Sequence, residues 1–257
     1  MEKKNEEKID FILYQLHIPK TGGSSIRQYL RKHIGEAKCG MISGVRAIIN
    51  PIPRVGEFVH IHDGFLNLHQ LIHKTKYKYI ISIRDPVDRF FSLCIQELSN
   101  PVTNLTKPLH EIAKKTNTNY KNYVPKIFWD QIVFAAKNNK LKKQITNMYC
   151  DAFSTIFDNN KKLIKFDSVE QKINQAITNI NTESDNMAFV FTDNFTQSFI
   201  DACTRLDLPC KEWDEKCNVL IRGNHYKQNI KDCHIKEMTK IFSSDYIIYN
   251  YICKYFK

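Results

Sequence analysis

The stretch that decides the fold is His17-Ile18-Pro19-Lys20-Thr21-Gly22-Gly23-Ser24-Ser25. The apolar run 9–17 predicts a buried strand, and apolar residues at helical spacing after Ser25 predict a helix. A strand, a glycine turn and a helix present several backbone N–H groups and a positive helix end to one point. This arrangement favours a bound phosphate, with the Lys20 ammonium and the hydroxyls after it as further ligands. An ordinary turn with a serine cap is the alternative.

The rest of the chain continues the alternation of strands and helices. Strands are expected at 57–61, 77–83 and 187–192, and helices from Pro86, over 195–206 and over 233–256. The spacing at 100–165 is helical, and 107–143 holds nine lysines against Glu111 and Asp130. We expect an α/β fold, with a P-loop-like parallel sheet flanked by helices on both faces and a helical insertion at 100–165. One domain over 1–257 is expected, and two domains are the alternative.

Composition places the chain among ordered proteins, with 42% hydrophobic and 25% charged residues. The net charge of +11 favours an anionic partner, which could be nucleic acid, a nucleotide, an acidic polysaccharide or anionic lipid. A solvated basic surface is the alternative. We expect neither a signal peptide nor a membrane helix, because the first ten residues are mostly charged and no apolar run approaches about 20 residues. Eight cysteines without a C-x-x-C pair then predict a reduced, cytosolic chain.

Two groups of residues invite a metal hypothesis. His69 and His73 are four residues apart on an expected helix, and Cys203, Cys210 and Cys217 are evenly spaced. Neither group has the spacing and companions of a typical zinc site. We therefore expect no metal, and we expect both histidines at the surface.

The second pattern is Ile83-Arg84-Asp85-Pro86-Val87-Asp88-Arg89-Phe90-Phe91-Ser92, at another junction of strand and helix. Pro86 suits the first helical position, Asp85 the N-cap and Asp88 the third position of a capping box, so both carboxylates have structural roles. Arg84 follows the strand into the crevice where α/β sheets bind ligands, and its guanidinium suits a phosphate. A capped helix with a surface arginine is the alternative.

Together, PKTGGSS and IRDPVDRFFSLC resemble the two cofactor motifs of the sulfotransferase superfamily, in the branch of carbohydrate 2-O- and 6-O-sulfotransferases. Residues 190–195, VFTDNF, and the segment 245–256 resemble two further stretches of that family. Ser24 and Asp193 stand where the family commonly has threonine and glutamate. The resemblance covers the chain apart from the stretch 100–165.

The resemblance implies 3′-phosphoadenosine 5′-phosphosulfate as co-substrate, and no metal. The 5′-phosphosulfate would bind Lys20, Thr21, Gly22, Gly23, Ser24 and Ser25, and the 3′-phosphate would bind Arg84 and Ser92. Lys20 would also be catalytic. An ammonium at the bridging oxygen stabilises the negative charge that develops there as the sulfuryl group leaves.

The acceptor hydroxyl needs a base, because its pKa is far above 7. His60 and His62 share one face of the expected second strand, since strand side chains repeat every two residues. In the resembling enzymes a histidine followed by x-x-aromatic is the base, and His62-Asp63-Gly64-Phe65 matches that spacing. The match implies His62 as the base, with His60 as a supporting or alternative base. From the strand pattern alone, structural histidines would be the more common interpretation.

These observations lead to the hypothesis of a cytosolic sulfotransferase that acts by in-line displacement on a hydroxyl of a carbohydrate. The lysine-rich stretch 107–143 favours acidic acceptors if it borders the acceptor cleft. A P-loop-type nucleotide kinase is the first alternative, disfavoured because Lys20 precedes the glycine pair, whereas a Walker A lysine follows the second glycine. A noncatalytic protein that binds polyanions or nucleic acid is the second alternative, although nucleic acid is not the expected partner.

Overall fold

Strands and helices alternate along the chain in this computed structural model. It describes residues 9–35, 38–43, 46–48, 54–62, 66–71, 76–99, 106–119, 123–138, 147–160, 162–209 and 224–257. The strands are β1 (Ile12–His17), β2 (Lys38–Ser43), β3 (Arg46–Ile48), β4 (Phe58–His62), β5 (Tyr77–Ile83) and β6 (Met187–Phe191). The α-helices are α1 (Gly23–His33), α2 (Pro86–Ser99), α3 (Thr106–Lys115), α4 (Lys126–Lys137), α5 (Met148–Phe153), α6 (Val169–Thr182), α7 (Phe195–Arg205), α8 (Asp232–Ile241) and α9 (Ser243–Phe256).

β1 lies inside a sheet whose strand order is β3-β2-β4-β1-β5-β6. It pairs in parallel with β4 on one side and with β5 on the other, and β6 is parallel to β5. β2 is also parallel to β4, whereas the short β3 is antiparallel at the edge. The expected α/β class is therefore confirmed, and the carboxyl ends of β4, β1, β5 and β6 lie at one edge of the sheet.

The chain leaves β1 and β5 toward opposite sides of the sheet. β1 leads through α1 to β2, and β5 leads, after several helices, to β6 on the other side. In open α/β sheets, ligands bind outside the carboxyl ends of the strands at such a change of direction. The residues that follow His17 and Ile83 therefore occupy the ligand-binding position of this class of fold.

The chain forms two compact units, and the first contains the sheet. This unit comprises Met1–Arg84, Tyr149–Asn218 and Ile248–Lys257. On one face of the sheet, residues of α1 and α7 such as Phe199 pack with Phe58 of β4. On the other face, residues of α5, α6 and α9 such as Phe153 and Ile252 pack with the strands. Helices thus cover both faces, as the sequence predicts.

The second unit is helical and comprises Asp85–Met148 and Val219–Ile247. Its core joins α2, α3, α4 and α8. The ring centroids of Phe91 and Trp129 lie 4.9 Å apart, and those of Phe90 and Phe242 lie 5.5 Å apart. The stretch 100–165 contains α3, α4 and α5, so helices occur where the sequence predicts them. The single domain expected over residues 1–257 stays a prediction.

Some elements differ from their expected bounds. α1 begins at Gly23 rather than at Ser25, because Gly22 takes the N-cap position with φ 87°. Residues 233–256 form two helices, α8 and α9, rather than one. β2, β3 and α6 were not expected. β2 has no alternating apolar pattern and forms by pairing with β4, whereas α6 does carry a local signature, the capping box of Ser168 and Gln171.

His69 lies in the short 3₁₀ turn Leu68–Leu71, and its side chain is only 15% exposed, so the expectation of a surface histidine is wrong. Its ring stacks on Tyr77 with 3.8 Å between centroids, and its Nδ1 lies 2.8 Å from the Tyr79 hydroxyl. Burial lowers the pKa of His69 to about 4, although the Glu183 carboxylate lies 3.6 Å from Nε2. The loss of water around the imidazolium outweighs this one attraction. His73 lies outside the described residues.

The described helices and cysteines bear on the expectations about membrane helices and free thiols. None of the helices that the structure describes is long and apolar enough to cross a bilayer. Cys94 is a buried thiol in α2, and Cys233 is an exposed thiol in α8. Cys210 and Cys217 lie outside the described residues.

Candidate functional site

The turn between β1 and α1 has a strained backbone at Lys20. Its φ is 69°, in the left-handed region that side chains rarely adopt. All other non-glycine residues with positive φ among those described are asparagine or aspartate, which tolerate this region. Left-handed backbone at an ordinary residue costs about 1–2 kcal/mol. Strain of this kind concentrates at functional sites, so the turn is a candidate for one.

Two close approaches require both glycines of this turn. Gly22 has φ 87°, and a Cβ there would lie 2.8 Å from Cε2 of Phe195. A Cβ on Gly23 would lie 2.7 Å from Cδ2 of His17. Both distances are shorter than a favourable carbon–carbon contact of about 3.5 Å. The first turn of α1 can therefore lie directly against the end of β1, with its backbone N–H groups at the carboxyl edge of the sheet.

Thr21 is completely buried and shapes the turn. Its hydroxyl donates to the Ile18 carbonyl at 2.7 Å and lies 2.8 Å from the Ser82 hydroxyl of β5. The single hydroxyl proton of Thr21 goes to Ile18, so Ser82 donates to Thr21. The Thr21 hydroxyl thus ties the turn to β5, and any contribution of Thr21 to anion binding would come from its backbone.

Ser24 and Ser25 lie in the first turn of α1. The Ser24 side chain is exposed, and that of Ser25 is half-buried. The Ser25 backbone N–H donates to the Gly22 carbonyl at 3.0 Å, which closes the first helical turn. Of the expected loop hydroxyls, Ser24 is therefore the most accessible to a ligand.

Arg84 reaches the same turn from the end of β5. Its Nη1 lies 3.4 Å from the carbonyl oxygen of Lys20. The Tyr149 hydroxyl fixes the Arg84 backbone, because it accepts from the Arg84 N–H at 2.9 Å and donates to the Arg84 carbonyl. The two sequence motifs therefore meet at Lys20 and Arg84. Ser92, the other residue expected at the 3′-phosphate, lies half-buried in the second turn of α2, in the second unit.

Two histidines and a glutamine form a buried network beside this turn. Nδ1 of His60 lies 2.9 Å from Oε1 of Gln15, and Nε2 of His60 lies 3.3 Å from Nδ1 of His17. The Gln15 amide donates to the Gly23 carbonyl at 2.5 Å. His60 is therefore held through both ring nitrogens, and the network connects β4 to the first residue of α1.

A pocket of about 450 Å³ opens beside the network. It is lined by His17, Ser24, Arg27, Gln28, Arg31 and His60. Arg27 and Arg31 are one helical turn apart on α1, so both guanidinium groups lie on the same side of that helix. Two cations, two imidazoles and a hydroxyl make the pocket suitable for an anionic, hydroxylated molecule.

His62 is the last residue of β4 and pairs with His17 across the two strands, as His60 pairs with Gln15. Its side chain lies outside the described residues, as do Asp63, Gly64 and Phe65. The pairing places the His62 backbone at the same edge of the sheet as the turn at Lys20. The expected role of His62 as the base stays a prediction.

The sequence analysis did not identify Gln15, His17, Arg27 or Arg31. A partial signal exists for the two arginines, because residues four apart after a glycine turn share one helix face. In the sequence, His17 is recognisable only as the last residue of the first expected strand. Its role depends on the pairing of β1 with β4, which no local pattern specifies.

The second unit has a pocket of its own, of about 350 Å³, at the start of α2. Asp85 caps α2, since its Oδ1 accepts from the N–H groups of Val87 at 3.0 Å and Asp88 at 2.9 Å. Asp88 pairs with Lys227 at 2.8 Å. Burial, and then the hydrogen bond from its hydroxyl to Asp85, raise the pKa of Tyr246. Asp85 is therefore the N-cap that the sequence predicts, whereas the Asp88 carboxylate, expected in a capping box, pairs with Lys227.

The structure describes residues 107–119 and 123–138 of the lysine-rich stretch 107–143. Lys114 and Lys115 are exposed in the last turn of α3. Lys126 pairs with Asp130 at 2.9 Å, and the hydrogen bond from His234, followed by that from Lys126, lowers the pKa of Asp130. Lys142 and Lys143 lie outside the described residues.

The donors of the candidate site are ammonium, guanidinium, imidazole, hydroxyl and backbone N–H groups, which suit an anion. Among the described residues, no group of three or more His, Cys, Asp or Glu side chains could hold a metal ion. The sequence matches neither a protein-family model nor a curated protein.

Proposed function

We propose that this protein is a sulfotransferase with a P-loop-like fold. It would transfer a sulfuryl group from 3′-phosphoadenosine 5′-phosphosulfate to a hydroxyl of an acidic carbohydrate. The observation that carries the proposal is the meeting of Lys20 and Arg84 at the carboxyl ends of β1 and β5, with 3.4 Å between Arg84 Nη1 and the Lys20 carbonyl. Two cationic residues at the switch point of a parallel sheet suit a nucleotide with two separate phosphate groups.

The turn from Lys20 to Ser25 suits the 5′-phosphosulfate. The first backbone N–H groups of α1 and the positive end of its dipole favour a negative charge there. Lys20 lies in this turn with φ 69°, and its ammonium would contact the bound group from the rim. As the bond from sulfur to the bridging oxygen breaks, negative charge grows on that oxygen. The Lys20 ammonium would stabilise this charge more in the transition state than in the bound substrate.

Arg84 suits the 3′-phosphate, with Ser92 as its expected companion. Tyr149 holds both backbone groups of Arg84, so the side chain starts from a fixed position. A guanidinium with a fixed origin can bind a phosphate through two parallel hydrogen bonds. A nucleotide that lacks the 3′-phosphate should therefore bind more weakly.

The pocket of about 450 Å³ beside the turn suits the acceptor. Its volume is in the range of ordinary small-molecule sites, about 300–1,000 Å³. Arg27 and Arg31 would bind a carboxylate or sulfate of the sugar, and the histidines at the end of β1 and β4 would serve the hydroxyl. An acidic carbohydrate satisfies both sets of groups.

Calorimetry tests the nucleotide site. 3′-Phosphoadenosine 5′-phosphate, adenosine 5′-phosphate and ATP are titrated into the protein without acceptor. We expect the first to bind at least about tenfold more tightly, since each tenfold is about 1.4 kcal/mol and one charged contact supplies that. Tighter binding of ATP would favour a nucleotide kinase. Equal, strongly salt-dependent binding of all three would favour a noncatalytic polyanion-binding protein.

Transfer itself is tested with co-substrate labelled in the sulfuryl group. The acceptor panel contains acidic and neutral oligosaccharides of equal length, together with tyrosine, steroid and lipid hydroxyls. We expect label in the acidic oligosaccharides, with a KM that rises with salt as the attraction to Arg27 and Arg31 is screened. Label in a non-carbohydrate acceptor would correct the substrate class, and no label in any acceptor would count against the activity.

A further inference from the structure

A chain of hydrogen bonds links the ends of β1 and β4 to the first residue of α1. Nε2 of Gln15 lies 2.5 Å from the Gly23 carbonyl oxygen, and Oε1 of Gln15 lies 2.9 Å from Nδ1 of His60. Nε2 of His60 lies 3.3 Å from Nδ1 of His17. Gln15 is fully buried, and His60 and His17 are 5% and 9% exposed. Little water can therefore compete for these bonds.

The Gly23 carbonyl sets the direction of the whole chain, because a carbonyl oxygen can only accept. The Gln15 amide must turn its NH₂ toward Gly23 and its oxygen toward His60. His60 then donates from Nδ1 and, as a neutral imidazole, accepts on Nε2. His17 donates from Nδ1 to that nitrogen, so the tautomer of a neutral His17 has its lone pair on Nε2.

This edge of His17 lies at the start of α1. A Cβ on Gly23 would lie 2.7 Å from Cδ2 and 3.2 Å from Nε2 of His17, so the imidazole packs on the Gly23 backbone. His17 also lines the pocket together with Ser24, the next residue of the helix. A hydroxyl in that pocket would be beside the turn that we propose for the phosphosulfate.

We propose that His17 is the general base, and that His60 and Gln15 are positioning residues that keep its lone pair on Nε2. This assignment rests on the proposed sulfuryl transfer. As the acceptor oxygen bonds to sulfur, its proton passes to Nε2 of His17, and the bond from sulfur to the bridging phosphate oxygen breaks. The electron pair of that bond leaves with 3′-phosphoadenosine 5′-phosphate, so no further reactant is needed.

His60 and His62 are the two alternatives to His17 as the base. His60 is a poor base in this network, because Nδ1 donates to Gln15 and Nε2 accepts from His17. His62, which pairs with His17 in the register of β1 and β4, is the competing base. Arg27 and Arg31 of α1 are the charged side chains that line the pocket with His17, and His60 of β4 is the titratable one.

The tautomer is measured first, because it does not depend on activity. Long-range ¹H–¹⁵N NMR on the ¹⁵N-labelled protein locates the ring protons at a pH about two units above the reference histidine pKa of about 6.5. The spectrum of His17→Gln assigns the His17 signals, and the glutamine amide can still donate to His60. We expect the proton of His17 and that of His60 on Nδ1. A proton on Nε2 of His17 would overturn the proposal.

Turnover at saturating co-substrate separates the candidate bases. His17→Gln and His62→Gln are compared, with His110→Gln on the exposed face of α3 as the matched control. We expect His17→Gln to lose about 10²- to 10⁴-fold in kcat, the usual contribution of a general base, while calorimetry gives unchanged binding of 3′-phosphoadenosine 5′-phosphate. Full turnover in His17→Gln together with loss in His62→Gln would assign the base to His62 and refute His17.

Gln15→Glu tests the positioning role. An ionised glutamate cannot donate to the Gly23 carbonyl, so that bond is lost, and a carboxylate against Nδ1 of His60 favours the imidazolium form. Nε2 of His60 then becomes a donor. The proton of His17 must then move to Nε2, and we expect its NMR signature to switch and kcat to fall as in His17→Gln. Gln15→Met removes the acceptor at similar volume, and we expect mixed tautomers of His60 and His17. An unchanged His17 tautomer in both folded variants would refute the positioning role.

Failure of the proposed function would have a different signature. A protein that neither binds 3′-phosphoadenosine 5′-phosphate nor transfers label, yet carries His17 with its proton on Nδ1, would refute the sulfotransferase and with it the base. Such a result would leave the hydrogen bonds that link Gly23, Gln15, His60 and His17 uncontradicted. Nucleotide binding and transfer that both survive His17→Gln unchanged would refute His17 alone.

Discussion

Gly22→Ala should destabilise the protein more than alanine at other glycines with positive φ. The substitution adds two unfavourable terms. The first is left-handed backbone at φ 87°, about 1–2 kcal/mol for a residue with a Cβ. The second is the new Cβ at 2.8 Å from Cε2 of Phe195, an overpacking contact of about 1–3 kcal/mol. We expect a loss of about 2–5 kcal/mol in the free energy of unfolding.

Two other glycines provide matched controls. Gly56 has φ 92° and its Cβ would meet only the Ile9 carbonyl at 3.5 Å, while Gly35 has φ 119° and its Cβ would meet nothing within 4 Å. Alanine at either position should therefore cost only the backbone term, about 1–2 kcal/mol. The difference from Gly22→Ala isolates the contact with Phe195.

Urea unfolding of the variants, followed by tryptophan fluorescence and circular dichroism, measures these losses. Phe195→Leu removes the ring atom that the new Cβ would meet, so the double variant should recover about 1–3 kcal/mol relative to the sum of the single losses. Equal losses at all three glycines, or no recovery with Phe195→Leu, would refute the reasoning. The close packing of the turn on Phe195 would then not be a constraint.

The remaining predictions concern the site and one buried histidine. Lys20→Ala should lower both affinity for the nucleotide and kcat, since its charge serves the bound phosphate and the leaving oxygen; unchanged kcat at saturating co-substrate would refute the catalytic role. Arg84→Ala should weaken the binding of 3′-phosphoadenosine 5′-phosphate, measured by calorimetry, by about 2–4 kcal/mol. It should hardly change the binding of adenosine 5′-phosphate, and equal losses for both nucleotides would place Arg84 elsewhere. The folded pKa of His69, about 4, lies below its unfolded value near 6.5, so the unfolded chain binds the extra proton between these values. Stability should be full above about pH 6.5 and fall by about 3 kcal/mol as the pH drops to about 4, and the slope in this window should disappear in His69→Gln. Charge reversal of Lys114 and Lys115 should raise KM for acidic acceptors at low salt. If KM responds neither to the charge reversal nor to salt, these lysines of α3 are a solvated helix face without a role in acceptor binding.

Exposed residues outside the site supply the controls for the charge changes. Lys165→Ala is the control for Lys20→Ala, and Arg54→Ala is the control for Arg84→Ala, because both side chains are exposed. Neither control should change nucleotide binding or kcat. Stability of every variant is measured in parallel, so that a loss of activity is separated from a loss of folded protein.

Much of the fold follows from local patterns in the chain. β5 has the bounds that its β-branched run predicts, Tyr77–Ile83, and α2 begins at Pro86 as its capping residues predict. The turn between β1 and α1 was identified because glycines, a strand and a helix follow one another within about 20 residues. Elements of this kind are readable because neighbouring residues determine the periodicity and the caps.

The meeting of Lys20 and Arg84 was also within reach of the sequence. Both residues follow parallel strands, and the carboxyl ends of parallel strands share one edge of a sheet. The adjacency of β1 and β5 makes the distance short. The accessible hydroxyls were less predictable, because the sequence does not reveal that Thr21 turns inward to Ser82.

The sequence by itself determined the strands β1, β4, β5 and β6, the turn that favours an anion and the excess of positive charge. Only the tertiary structure decided the network of Gln15, His60 and His17, the contact of Gly23 with His17, and the burial of His69. The bonds of His60 to Gln15 and to His17 join residues 45 and 43 positions apart, and they depend on the register of β1 with β4. A shift of one residue would turn every side chain of a strand to the opposite face, and no local pattern at the polar residues fixes that register. The buried apolar residues on both faces of the sheet fix the register of β1 with β4. The position of His17, the proposed base, therefore depends on the packing of that core.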